Sequence, residues 1–481
     1  MDLKGASPML SEEDRKRLTQ AMAVLEHTSI DMCVRLPDNL ATGGTVELSP
    51  FDRAAMGRPI PMMWFYNETL DSVALLSALQ QTLVAYPVFC GRYSSPPSAV
   101  ELNNTGVPVR VCTAQRLDMT LSEAIAHLPS SLSSAASSFF PADTYETLVH
   151  DKHRMEPDLG KTDVPLLSIK ITYFQAGGTA VGMLLQHGIA DADAQIAFAR
   201  NWSRVFRGLA LERLPIHDRC MVNRLATGDV GAGDKPRDFF FNLPGESEAP
   251  EPEQMSLEMF FKMLGDQAVA MPLPKALLKD WKAAASTGLE NGTFVSTDDV
   301  LTAHVWQALC TMRCTQLGLA VDSELPTACV RACNFRQRTD PPLGADYCGN
   351  GFSPVWTRLT VRELLAMAPS EVAPLLRASL QAFTSADVAS RAQWFRRAQL
   401  AECTPSLAVD PHGLTFIISS WAFDWQEVDF NAMPVCFDQG VLNPAMAVFV
   451  PRLHGDGLNI YISGPQASLE QLARLLTQRE L

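Results

Sequence analysis

Long apolar runs are missing from these 481 residues: the greasiest stretch, Leu414–Ala422, is strand-length. A membrane-spanning helix needs about 20 apolar residues, so no span is expected. Positive charge is also scarce, with 39 Lys+Arg against 53 Asp+Glu and a net charge of −14. With no block of basic residues, the chain repels phosphate backbones, and nucleic acid is excluded as a partner. The N-terminal stretch MDLKGASPMLSEEDRKRL is polar where a secretory leader would be apolar. Neither G-x-x-x-x-G-K-[ST] nor G-x-G-x-x-G occurs, which removes the common phosphate cradles. The 28 glycines and 32 prolines show no period, and no repeat of 20–50 residues is seen. Eleven cysteines are present, an odd and scattered set that reads as reduced thiols in the cytoplasm rather than a disulfide framework.

What is there is an ordinary globular composition, 47% hydrophobic and 19% charged, in a chain long enough for two or three domains. Helical and strand patterns alternate, which predicts an α/β or α+β fold. Helices are expected at 12–26, Leu70–Ala85, 192–207, Pro274–Ala285, Asp299–Met312, 361–385, 388–399 and Leu469–Leu476. Pro87 ends the second of these, and Thr297 or Asp298 is the expected N-cap of the helix at Asp299. Strands are expected at 107–113, Leu166–Tyr173, Thr179–Gln186, Leu257–Met263, Thr327–Phe335, 414–421, 445–453 and 457–463. The serine-rich stretch Ser130–Ser138 reads as a loop or a weakly specified helix. Residues 211–255 change character, with clustered Gly and Pro and the run GESEAPEPEQ, and read as a crossover between residues 1–210 and 256–481.

One histidine stands where chemistry is commonly displayed. His187 follows the apolar strand VGMLLQ and precedes a helical pattern, with Asp191 four residues on and Gly188 suited to a tight exit turn. The motif alone is weak, but its context is not. LLQHGIADADAQIAFARNWSRVFRG, LSPFD at 48–52, LSALQQTLVAYPVFCGR at 76–92 with VELNNTGVPVRV at 100–111, STDDVLTAHVWQ at 296–307 and NFRQRTDPPLGADYCGN at 334–350 follow one another in register. This series resembles the BAHD acyl-CoA-dependent acyltransferases of the chloramphenicol acetyltransferase-like superfamily. One family hallmark departs: where DFGWG is usual, the chain reads Asp429-Phe430-Asn431-Ala432-Met433. The loss of both glycines matters for a turn, although Asn431 tolerates left-handed backbone better than most residues.

The resemblance implies two chloramphenicol acetyltransferase-like lobes, each a mixed β-sheet with flanking helices, and an active-site channel between them. About 417–440 would cross back to the first lobe. It implies transfer of an acyl group from acyl-CoA to a hydroxyl, or an amine, of a small metabolite. His187 suits the general base, since imidazole titrates near neutrality. Asp191 joins the site set as the carboxylate that orients the turn by pairing with an arginine, and Arg336 and Arg338 are the candidates. An extended backbone would put both arginines on one face. Ser419 and Trp421 are candidate donors to the oxyanion, and Asp429 is a structural residue. Lys282 is the first candidate for CoA phosphates, beside Lys275 and Lys279, with Ser296 and Thr297 in the same group. Acyl-CoA would be a co-substrate, with no permanently bound cofactor and no metal, and the protein a monomer. Cys310/Cys314 and Cys329/Cys333 read as core thiols rather than a zinc site. A carrier-protein-dependent condensation-type transferase is the rival enzyme, disfavoured by Gln186 and Ala192 where that group carries H-H-x-x-x-D-G. A non-catalytic acyl-CoA-binding protein on the same scaffold is the remaining alternative.

Overall fold

The computed structural model describes residues 29–40, 43–57, 59–113, 163–174, 177–227, 239–240, 267–287, 294–400, 406–407, 412–439, 446–452 and 455–477, with Lys16, Leu121 and Leu289. The expected helix at 12–26 apart from Lys16, the serine-rich stretch, the strand at 257–263 and most of the 211–255 crossover lie outside these residues.

Two six-stranded sheets organise the chain. The first contains β1 (Ser29–Val34), β2 (Pro59–Tyr66), β3 (Val107–Thr113), β4 (Leu167–Tyr173) and β5 (Thr179–Gln186). The second contains β6 (Gln267–Pro274), β7 (Pro326–Asn334), β8 (Phe352–Thr360) and β9 (Thr415–Ser420). Strand β10 (Cys436–Asp438) leaves that order and pairs antiparallel with β2, completing the first sheet as β1-β3-β4-β5-β2-β10. β11 (Met446–Pro451) and β12 (Gly457–Gly464) then return to the second sheet, whose order is β6-β12-β11-β9-β7-β8. Both sheets are mixed: β3/β4, β7/β9 and β9/β11 are parallel.

Helices α1 (Pro50–Ala54), α2 (Ser72–Leu83) and α3 (Ala192–Phe206) belong to the first half of the chain. Asp71 caps α2 by accepting from the backbone N–H groups of Val73 and Ala74. Trp202 of α3 donates its indole N–H to the Leu75 carbonyl at 2.9 Å, tying the two helices over one core. In the second half, α4 (Lys275–Ser286), α5 (Thr297–Leu317), α6 (Val361–Ala366), α7 (Pro369–Ala382), α8 (Ser385–Leu400) and α9 (Gln466–Thr477) cover the sheet.

Three expectations need correcting. Helix α5 begins at Thr297 and its N-cap is Ser296, not Thr297 or Asp298. The reason is a reciprocal capping box: Ser296 Oγ accepts from Asp299 N, and the Asp299 carboxylate accepts from Ser296 N. The single helical pattern at 361–385 is two helices, because Pro369 cannot continue α6 and starts α7 instead. Strands β1, β2, β6, β8 and β10 were not expected from the sequence. β2 reads PIPMMWFY and carries no alternation, because from Met62 onward both faces are buried. β8 lies at the sheet edge, where Pro354 costs no ladder bond.

Candidate active site

The apolar strand β5 delivers His187 to the edge of the core. The chain turns at once, with Ile189 N donating to the Gln186 carbonyl at 3.1 Å, and enters α3 at Asp191. Gly188 is required by close approach: a Cβ there would lie 2.6 Å from Tyr93 Oη and 2.7 Å from Met56 Cγ. Asp191 is the N-cap of α3, accepting from Ala194 N at 3.1 Å. That settles the helix start, and Asp193, one residue inside α3, is not its cap.

The other face of Asp191 meets Arg336. Arg336 Nη1 and Nη2 donate to the two carboxylate oxygens at 2.8 Å each, and Gly351 N adds a third bond at 2.8 Å. The spare guanidinium protons go to the Tyr347 and Gly349 carbonyls at 3.1 and 2.9 Å. Burial pushes the Asp191 pKa up, but the Arg336 charge and these hydrogen bonds outweigh it and hold the carboxyl below its ordinary value. Gly351 is the residue that lets the backbone come this close, since a Cβ there would sit 2.4 Å from Arg336 Nη1. Arg338 points elsewhere, donating to the Leu380 and Phe383 carbonyls at 2.7 and 2.8 Å. The two arginines do not share a face, because the backbone turns here (Arg338 N donates to Phe335 O at 2.8 Å) instead of staying extended. The exposed Asp193 takes a short hydrogen bond from Asn334 and lies 3.7 Å from Arg336. Its pKa is raised by partial desolvation and then by the Asp191 charge.

A second buried carboxylate holds the same turn from behind. Asp52, fully buried, caps α1 through the Ser49 box and accepts from Arg219 Nε at 3.0 Å. It also accepts from Asn350 N at 2.9 Å and Asn350 Nδ2 at 2.7 Å. Arg219 Nη2 then donates to the Ile189 carbonyl at 2.7 Å, and Asn350 Nδ2 to the His187 carbonyl at 2.7 Å. The buried Asp52 and Arg219 charges are thus paired with each other and hydrogen-bonded, which a buried charge requires. Arg219 carried no sequence signal; LSPFD and YCGN were noted as matches without a role. The half-buried His187 ring packs on Phe352, with centroids 5.2 Å apart and planes tilted by 33°.

Ser419 lies near the end of β9 opposite Val448, and Trp421, just past that end, donates its backbone N–H to the Phe449 carbonyl at 2.8 Å. The Trp421 side chain is buried with the first-half core. From there the chain crosses to the first sheet. Tyr66 Oη donates to the Val428 carbonyl at 2.8 Å, and Asp429 pairs with Arg207 at 3.1 Å. Phe430 packs edge-on against Trp202, Phe206 and Tyr66 with centroids at 5.0, 5.3 and 5.8 Å. Asn431 takes the left-handed conformation, φ 58°, where the family pattern carries glycine.

The remaining candidates are dispersed. Lys275, Lys279 and Lys282 are exposed on α4. Ser296 spends its hydroxyl on the cap, and Asp299 in turn accepts from Arg331 Nη1 at 2.9 Å and Arg377 Nε at 2.8 Å. His304 stacks on Trp281 at 3.8 Å, and burial holds its pKa down to about 4. His217 Nε2–H donates to the Ala85 carbonyl at 2.9 Å, and burial and the neighbouring Arg219 bring its pKa to about 4 as well. Cys310, Cys314, Cys329 and Cys333 are buried thiols, with Cys329 pushed up to about 12 by burial. Among the described residues, no group of three or more His, Cys, Asp or Glu is placed to hold a metal.

Comparison with known proteins agrees with this architecture. A family profile described as "Transferase family" matches residues 28–474. Tryptamine hydroxycinnamoyltransferase 2 of Oryza sativa subsp. japonica is 24% identical over 453 residues, covering 91% of this chain and 94% of that protein. A hydroxycinnamoyl-CoA:5-hydroxyanthranilate N-hydroxycinnamoyltransferase of Avena sativa is 30% identical over 192 residues, 39% of each chain. Among solved structures, vinorine synthase superposes over 94% of this chain and 98% of its own, at TM-score 0.65 and 19% identity. TRI101 of F. sporotrichioides, complexed with coenzyme A and T-2, covers 91% of this chain and 98% of its own, at TM-score 0.68 and 19% identity. The two-lobed mixed α/β fold is therefore that of these acyltransferases. The chain belongs to the transferase family known as BAHD. It is an acyltransferase of the class that moves acyl groups from CoA thioesters to hydroxyl or amine groups of small metabolites.

Proposed function

We propose that His187 is the general base of a direct transfer from acyl-CoA to a hydroxyl of a small metabolite. A hydroxyl acceptor depends on a base more than an amine does, because an alcohol holds its proton at neutral pH. His187 takes that proton as the acceptor oxygen attacks the thioester carbonyl carbon. The tetrahedral oxyanion collapses, the C–S bond breaks, and the imidazolium returns the proton to the CoA thiolate. Ser419 and the Trp421 indole N–H are the donors assigned to the oxyanion. Lys282, with Ser296 and Thr297 nearby in sequence order, is assigned to CoA. No acyl-enzyme forms, and no metal takes part. The observation that carries this reading is the double grip on the His187 turn, by Arg336 through Asp191 and by Asn350 and Arg219 through two backbone carbonyls. A backbone turn held so tightly presents its side chain from a rigid support, which suits proton transfer.

We also read residues 1–210 and 256–481 as the two lobes, joined by 211–255, and the working protein as a cytoplasmic monomer. The ten described cysteines are free thiols, which supports a reducing compartment. Light scattering on the purified chain tests the monomer.

A panel of acetyl-, benzoyl- and hydroxycinnamoyl-CoA against alcohols and amines, read by mass spectrometry, identifies the pair. With that pair, His187→Ala should lower turnover by about 10²–10⁴-fold, the range for a lost acid–base group. Intersecting lines are expected when both substrates are varied. A trapped acyl-cysteine, or a His187→Ala enzyme of near-normal rate, overturns the mechanism.

A further inference from the structure

We propose that Phe352 is a positioning residue for the His187 base: its ring fixes the plane of the imidazole, and its π-face stabilises the imidazolium that forms during transfer. This rests on the reading of His187 as general base. The centroids are 5.2 Å apart and the planes are tilted by 33°, which puts the imidazole within reach of the ring's π-system. A cation within about 6 Å of an aromatic centroid on its face is attracted by the ring quadrupole. A neutral imidazole gains much less, so the contact strengthens as His187 takes up the proton, which is the property a transition-state interaction needs.

The ring is also fixed in space relative to the histidine. Phe352 opens β8, where it pairs in register with Asn334. The preceding residue is held on both sides: Gly351 N donates to Asp191 Oδ2 at 2.8 Å, and Gly351 O accepts from Phe335 N at 2.7 Å. One residue further back, Asn350 donates to the His187 carbonyl. The segment that carries the aromatic platform is thus bonded to both ends of the turn that carries the imidazole. Around it, Asp52 pairs with Arg219 and Asp191 with Arg336, while the exposed Asp193 accepts from the Asn334 amide and lies 3.7 Å from Arg336. Replacing Phe352 leaves each of these pairs intact, which isolates the ring's own contribution.

The test is a histidine titration followed by NMR in the full chain labelled with ¹³C-histidine. Nine histidines are present, and a His187→Gln spectrum assigns the resonance. Phe352→Leu keeps an apolar contact and removes the π-face, so the His187 pKa should fall by about half a unit, a roughly three-fold shift in the protonation equilibrium. Phe352→Tyr keeps a π-face and should restore the wild-type value. In transfer assays with the acyl-CoA identified by the panel, Phe352→Leu should lower kcat about 3–10-fold while KM for acyl-CoA stays within about two-fold. Should Phe352→Leu fold poorly, difluorophenylalanine at the same position keeps the shape, weakens the face and should lower the pKa in the same direction. A His187 pKa unchanged in both Phe352→Leu and the fluorinated protein overturns the proposal. A near-normal His187→Ala rate with a shifted His187 titration instead overturns the base and leaves the contact standing.

Discussion

Asp191 and Arg336 form a pair in which each partner is costly without the other. Both side chains are buried, and the carboxylate receives three charge-assisted or backbone bonds besides its cap. Asp191→Asn leaves a buried guanidinium facing a neutral amide, at a cost of about 3–5 kcal/mol. Activity and melting temperature should therefore fall together; calorimetry beside a transfer assay checks this, and lost turnover with unchanged melting would assign Asp191 a direct role. Acid sensitivity is set by other residues. His217 and His304 sit near pKa 4 in the folded chain, against about 6.5 unfolded. Between those values the unfolded chain binds more protons, so their contribution is complete above pH 6.5 and is lost as pH falls toward 4. Urea unfolding from pH 7 to 4.5 should show this loss, and His217→Gln with His304→Gln should flatten the slope.

At the scale of elements, the caps do most of the specifying. Ser296 and Asp299 start α5, and Asp299 also gathers Arg331 from β7 and Arg377 from α7. Ser296→Ala should cost about 1 kcal/mol as a lost N-cap, seen as a small drop in melting temperature. If Ser296 also serves CoA, KM for acyl-CoA rises in the same variant; if it only caps, KM does not move. Elements with a local signature were legible in the sequence: β3 at Val107–Thr113, β5 into α3, and α2 with Pro87 behind it match their expected places closely. Those without one were not. PIPMMWFY lacks alternation because it is sandwiched, and CFD is too short to carry a period. The α5 start was misplaced by two residues because three candidate caps stand in a row at 296–298, and only the reciprocal bond to Asp299 distinguishes them.

Across the whole molecule, the segment from Trp421 to Asp438 fastens one half of the chain to the other. Phe430 is its anchor, buried among Trp202, Phe206 and Tyr66. Phe430→Ala should cost about 3–5 kcal/mol, the usual range for an aromatic truncated in a core. Limited proteolysis should then cut the crossing segment first, before either sheet. His187, Asp191 and an arginine at 336 or 338 were readable because they lie in motifs of recognisable order. Asp52, Arg219 and Phe352 were not assigned, because their roles exist only through pairings across 165 to 298 residues, which no local pattern records.

That separation has a consequence for how the protein is made. The ribosome releases Asp52 long before Asn350, the residue 298 positions later that supplies two of its hydrogen bonds. Until then the first sheet emerges with a carboxylate set for a buried place and with the His187 carbonyl lacking its Asn350 donor. Water must occupy both sites in the growing chain. Synthesis stopped before residue 350 would yield a nascent half with its histidine loosely held, and competence for catalysis would arrive late, when the second half displaces that water.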